Sequence, residues 1–106
     1  MPDTFTTPFH TADLVAYQDG SIVSKVIVKQ KAGNVTLFAF DAGQELSEHT
    51  APFDALVQIV DGEADITLDG ETHRVASGAA IVLPANIPHA LAAPEPFKML
   101  LTMIKG

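Results

Sequence analysis

The chain has 106 residues, 47% of them hydrophobic and 18% charged, with a formal net charge of −7. That length suits one domain with a real core, and so high an apolar share favours a surface for self-association. The acidic balance makes nucleic acid and anionic membranes poor partners, and the lack of cysteine excludes disulfides and thiolate metal sites.

Residues 1–20 read as an irregular arm rich in Pro and Thr. They lack the basic start and apolar core of a secretion signal, and no later run reaches bilayer length, so a soluble, cytoplasmic protein is expected. Thr11 to Tyr17 allows at most a short helical turn capped by Thr11. After Asp19-Gly20, Ser21 to Lys29 is a β-branched strand with apolar residues on both faces. Ala32-Gly33-Asn34 turns the chain into a second strand, Val35 to Phe40, which ends at Asp41-Ala42-Gly43.

The stretch Gly43 to Gly62 comes next. It sets His49 ahead of Pro52 and then runs through the apolar segment Asp54 to Val60 to Asp61-Gly62. Asp-Gly is a strong signal for a two-residue type I′ hairpin. Such a turn would place Ile59 opposite Ala64, Val57 opposite Ile66 and Ala55 opposite Leu68. A second Asp-Gly turn, at Asp69-Gly70, joins strands Glu63–Leu68 and Glu71–Val75 and sets Asp65 opposite Arg74. Ser77-Gly78 leads into Ala79–Leu83. Pro84, Asn86 and Pro88 break the chain before His89-Ala90-Leu91, and Phe97–Ile104 closes it. Eight or nine short strands and no amphipathic helix predict an all-β sandwich or barrel.

Several strands are apolar on both faces: Leu56 and Val60 oppose Val57 and Ile59, while Leu100 and Ile104 oppose Phe97, Met99, Leu101 and Met103. One face fills the barrel and the other needs a cover. A partner subunit in a homodimer is the simplest one, and the N-terminal arm is the alternative.

His49 and Ala51 share the odd parity of Ala55, Val57 and Ile59, so an extended chain aims the His49 imidazole into the same interior. The other candidates read differently. His73 faces Ile66 across the second hairpin as a barrel-end side chain. Met99 and Met103 are core filler, and Phe38, Phe40 and Phe53 suit either core or pocket lining. Ser47 has no nucleophile elbow around it, and no phosphate-binding glycine loop is present.

The spacing resembles the cupin family. Its first motif is a glycine, five residues, His-x-His, three or four residues, a glutamate, six residues and a glycine; Gly43, His49 and Gly62 fall in register with it. The second is a glycine, five residues, Pro-x-Gly, two residues, a histidine, three residues and an asparagine; Gly78, Pro84 and His89 match. The resemblance implies a small jelly-roll β-barrel, the double-stranded β-helix, commonly assembled as a dimer. It also implies a divalent metal (Fe, Mn, Ni or Zn) held by three histidines and a glutamate. Here Ala51 and Ala55 stand at two of those four positions, Asn86 replaces the second motif's glycine, and Ala93 replaces its asparagine.

His49 and His89 are therefore the candidate metal ligands and the candidate catalytic residues, two short of the family's set. Glu48 and Gln58 have the wrong parity to join them. Asp54 would need a bulge to turn inward, and Glu45 and His10 lie in segments read as irregular. Two function classes follow. One is a binding module with no resident cofactor, enclosing a small organic molecule among His49, His89, Ala51, Ala55, Val57 and Ile59. The other is an isomerase, lyase or dioxygenase, working through a metal or through histidine acid–base chemistry. The structural alternative is a pair of interior histidines satisfied by each other, by backbone or by water.

Overall fold

The structure, a computed structural model, describes residues 5–105; the first four residues of the expected arm lie outside that range. Eight strands follow a single 3-10 turn at Thr11–Asp13. They are β1 (Ile22–Gln30), β2 (Gly33–Phe40), β3 (Glu45–His49), β4 (Asp54–Leu68), β5 (Glu71–Ala76), β6 (Ala80–Leu83), β7 (His89–Ala92) and β8 (Phe97–Ile104). All pairings are antiparallel. His10, not Thr11, holds the N-cap of the 3-10 turn, without a side-chain cap bond. The β1–β2 turn falls on Lys31-Ala32, because Gly33 already pairs with Gln30.

The architecture is a curled, two-layer jelly roll organised on β4. Its first half pairs with β8 and β6, in a sheet that continues through β8 to β2 and β1. Its second half pairs with β5 and β7, in a sheet that continues through β7 to β3. Asp61-Gly62 is consequently no hairpin, and the pairings of Ile59 with Ala64, Val57 with Ile66 and Ala55 with Leu68 do not form. One 15-residue strand instead crosses between sheets at that dipeptide. The backbone explains the difference. At the true hairpin, Asp69-Gly70, both residues have positive φ (51° and 82°), as a type I′ turn requires. At Asp61-Gly62 only the glycine does, with φ 70°, beside a bulge between Ile59 and Asp61. A bulge sharpens local twist, which bends β4 from one layer to the other. The second hairpin has the expected register, with Asp65 opposite Arg74 and Ile66 opposite His73. Arg74 also donates to both Asp65 and Glu63 on the outer face.

The inward residues of both layers make the main core, including Phe40, Val57, Ile59, Ile66, Leu91, Phe97 and Met99. Phe40 and Phe97 stack with ring centroids 4.5 Å apart. A second, smaller cluster lies on the outer face of the first sheet. There the arm lays Leu14, Val15 and Tyr17 over Leu37, Ala39 and Leu100. Lys98 pins this arm by donating to the Ala12 carbonyl at 2.6 Å, and Tyr17 donates to the Asp61 carboxylate. The arm thus covers part of the face for which a partner subunit was expected. Val28, Val82 and Ile104 on that face remain exposed. No helix among the described residues is long and apolar enough to cross a membrane.

Candidate functional site

The two layers part at one end to leave a cavity of about 100 Å³. The first sheet supplies Phe38, Ala55, Val57, Leu83, Met99, Leu101 and Met103 to its wall. The second supplies Leu46, His49, His89 and Leu91, and the β3–β4 connection adds Ala51 and Phe53. The two imidazoles are its polar side chains; everything else is hydrocarbon or thioether.

Local backbone devices bring the two histidines together. β3 and β7 pair Leu46 with Leu91 and, after a register shift, His49 with His89. Without that shift Glu48 would stand opposite His89 and His49 would point to the other side, since side chains alternate along a strand. His89 follows the Pro84–Pro88 turn, which is tied down by two successive backbone donors. Asn86 takes the left-handed conformation (φ 65°) and donates its backbone N–H to the Ala51 carbonyl at 2.7 Å. The Ala85 N–H donates to Asp54 Oδ1 at 2.8 Å. The rings meet edge to face with centroids 4.4 Å apart. His89 is buried, at 7% exposure, whereas His49 is exposed and stands at the cavity mouth.

A backbone carbonyl holds the Nδ1 of each ring. His49 Nδ1 lies 2.8 Å from the Ser47 carbonyl, and His89 Nδ1 lies 3.1 Å from the Ile87 carbonyl. A carbonyl only accepts, so each Nδ1 carries a proton and donates it, which leaves Nε2 as the acceptor in the neutral form of either ring. The site therefore presents two imidazoles, each anchored through Nδ1, in an apolar enclosure.

Of the residues expected from sequence, His49, His89, Ala51, Ala55 and Val57 all line the cavity. Ile59 does not. It is 1% exposed, pairs with Met99 and packs in the closed core beyond the cavity's end. Phe38 and Phe53 prove to be cavity wall and Phe40 core. Leu46 escaped the parity reading because the β3 bulge puts an even-numbered and an odd-numbered residue on one face. Glu45, read as irregular, begins β3 and is exposed, as are Glu48 and His10. Asp54 spends its carboxylate on the Ala85 N–H. Among the described residues no three His, Cys, Asp or Glu side chains gather in a metal-binding group. The divalent ion implied by the resemblance, with its histidine–carboxylate set, therefore does not fit the side chains present.

Comparison with known proteins places this geometry. A family profile described as "Cupin domain" matches residues 36–104, from within β2 to the end of β8. An uncharacterized protein of Streptomyces coelicolor is 32% identical over 74 residues, 70% of this chain and 69% of that one. A conserved protein of unknown function from Streptococcus pyogenes superposes with TM-score 0.92 at 40% identity, covering 98% of this chain and 91% of that one. A Cupin 2 conserved barrel domain protein from Leptotrichia buccalis gives TM-score 0.87 at 47% identity. It covers 92% of this chain and 47% of its own, so the present chain spans about half of that protein. The matched span holds every strand that walls the cavity, and the chain belongs to the cupin family.

Proposed function

We propose that this cupin domain encloses a small, largely apolar organic molecule between its sheets, with His49 and His89 holding the polar end. The observation that carries the reading is the cavity's make-up: a hydrocarbon wall with two convergent polar groups, the usual composition of a ligand site. Its volume, about 100 Å³, is of the order of the ~150 Å³ cavity that accepts benzene in an engineered protein. A single ring or a short branched chain is the right size. With Nδ1 of each ring donating to backbone, the Nε2 of a neutral ring accepts, and the bound molecule supplies a donor, a hydroxyl above all.

Titration of phenol and of anisole into metal-free protein, followed by methyl and imidazole NMR shifts, tests this. Phenol should saturate with shifts at Ala51, Ala55, Val57 and Met103, and anisole should bind more weakly because it brings no donor. His89→Leu should remove that preference. Shifts confined to another surface, or no saturation at millimolar concentration, would overturn the reading.

The assembly follows from the uncovered outer face. Register carries an apolar row across the first sheet from Val82 through Leu56, past Thr102, to Val35 and Val28. Val82 and Val28 are 54% and 47% exposed. We propose that a second copy covers this row. Light scattering at micromolar concentration should give twice the chain mass, and Val82→Lys should shift it to the monomer; a monomeric parent protein refutes the assembly.

A further inference from the structure

We infer that Lys105 sets the specificity of the cavity by holding a carboxylate at its mouth, so that the ligand is a small hydroxylated monocarboxylate. The inference rests on the pocket reading above and adds a charge to it. The alternation of β8 places the lysine. Met99, Leu101 and Met103 project in turn onto the cavity wall, and Lys105 is the next residue of that parity. Met99 is 2% exposed at the closed end, whereas Lys105 is exposed, so the row runs from the core out to the rim.

Two contacts hold Lys105 on that side. Its backbone N–H donates to the Ala32 carbonyl at 2.6 Å, just beyond the last β2–β8 pair, Gly33 with Ile104. Its ammonium lies over the ring of Phe53, 5.5 Å from the centroid, within the range of a cation–π contact. Phe53 is half-buried and lines the cavity, so the cation stands on a residue of the wall itself.

The charge balance makes this cation informative. The chain has six basic residues against thirteen acidic ones. Arg74 is engaged by Asp65 and Glu63, and Lys98 by the Ala12 carbonyl and the Tyr17 ring. Among the described residues no carboxylate pairs with Lys105, and none lines the cavity. Asp54, whose register partner is Ile104, gives its carboxylate to the Ala85 N–H. An unpaired ammonium at the rim of an apolar cavity suits the anionic end of a molecule whose body the cavity encloses. The protein as a whole, at net charge −7, repels that anion, so the attraction is local to Lys105. The hydroxyl goes to an imidazole and the carboxylate to the lysine.

The test sets the three positional isomers of hydroxyphenylacetate against their amides, which match them in shape and lack the charge. Each is titrated into the metal-free protein at neutral pH and low salt and followed by NMR. At least one acid should bind about two- to fivefold more tightly than its amide, the range of an exposed ion pair. Added salt should shrink the preference. Lys105→Met keeps an unbranched chain against Phe53 without the charge. It should abolish or reverse the preference and leave phenol affinity unchanged, whereas loss of a lysine that merely braced Phe53 would weaken phenol as well. Lys29→Met, at an exposed position on β1, makes the same change in net charge and should keep the preference. Circular dichroism checks that each variant is folded. No acid preferred over its amide, a preference that survives Lys105→Met, or one that disappears in Lys29→Met would each overturn the assignment. Phenol binding without any preference for an acid refutes this inference alone. Failure of phenol and of every acid and amide to saturate refutes the pocket reading with it.

Discussion

Gly62 offers the sharpest test of how β4 changes sheets. A β-carbon added there would lie 2.1 Å from the Pro96 carbonyl oxygen and 3.0 Å from Phe97 Cα, both backbone atoms that cannot rotate away. Gly70, in the Asp69-Gly70 hairpin, also has positive φ, but a β-carbon there meets nothing within 4 Å. The pair separates two costs. A left-handed backbone costs a non-glycine residue roughly 1–2 kcal/mol, and Gly70→Ala should lose about that. Gly62→Ala should lose the same and a further ~1–3 kcal/mol for forcing β4 and β8 apart, the scale of overpacking a filled core. Both replacements restrict the unfolded chain equally, so that term cancels in the comparison. At roughly 4–8 °C per kcal/mol for a domain near this size, Gly62→Ala should melt at least about 4 °C below Gly70→Ala. Urea midpoints and melting temperatures at one fixed protein concentration measure the difference, since self-association would make both concentration-dependent. Equal losses would mean that Asp61-Gly62 behaves as a solvent-facing turn and that β4 does not run through it.

Two further outcomes follow. Tyr17 is the chain's one tyrosine, so absorbance near 295 nm reports its ionisation alone. Burial first, then its hydrogen bond to Asp61 and the charges of Asp61 and Glu95, hold its pKa well above the ordinary value near 10. The folded state therefore favours the neutral phenol. Its contribution to stability is complete below about pH 10 and is lost as pH rises through the folded value. Asp61→Asn should bring tyrosinate formation to lower pH, and no change would break the proposed clasp between arm and barrel. At the site, Ala51→His with Ala55→Glu should rebuild a three-histidine, one-carboxylate set, so zinc(II) or iron(II) should raise the double variant's melting temperature far more than the parent's. Small-to-large changes in a filled core cost roughly 1–3 kcal/mol each, so an unfolded double variant would show packed alanines rather than open cavity wall.

Much of this architecture was legible because a strand alternates faces strictly while it stays regular. Parity alone assigned Ala55, Val57, Met99, Leu101 and Met103 to the interior, and all lie in regular runs of β4 or β8. It failed where the backbone departs from alternation. The bulge in β3 hid Leu46 from the wall, and the bend in β4 turned an apparent hairpin into a sheet crossing. Asp-Gly reports that one residue tolerates positive φ, and both a hairpin and a sharply bent strand use that tolerance. What distinguishes Gly62 is the Pro96 carbonyl above it, a contact 34 positions along the chain that no local pattern encodes. The covering of the outer face was open for a similar reason: Val15 and Tyr17 look unremarkable until Lys98 and Asp61 anchor them.

The same distinction explains how the histidine pair is held without using the side chains at positions 51 and 55. His49 is aimed by a backbone bulge and a carbonyl at Ser47, and His89 by the Pro84–Pro88 turn and a carbonyl at Ile87. The turn in turn rests on the Asp54 carboxylate and the Ala51 carbonyl, a main-chain atom that survives any change of side chain. None of these anchors uses the side chains replaced by alanine at positions 51 and 55. Alanine at both positions therefore leaves the aim of the two histidines intact and sets the chemistry of the site rather than its scaffold. A carboxylate would make the site anionic and suited to hard cations; two imidazoles in a hydrocarbon wall suit a polar group on an otherwise apolar molecule. The proposed affinity for hydroxyl donors then follows from the side chains present, acting through a geometry that the backbone maintains.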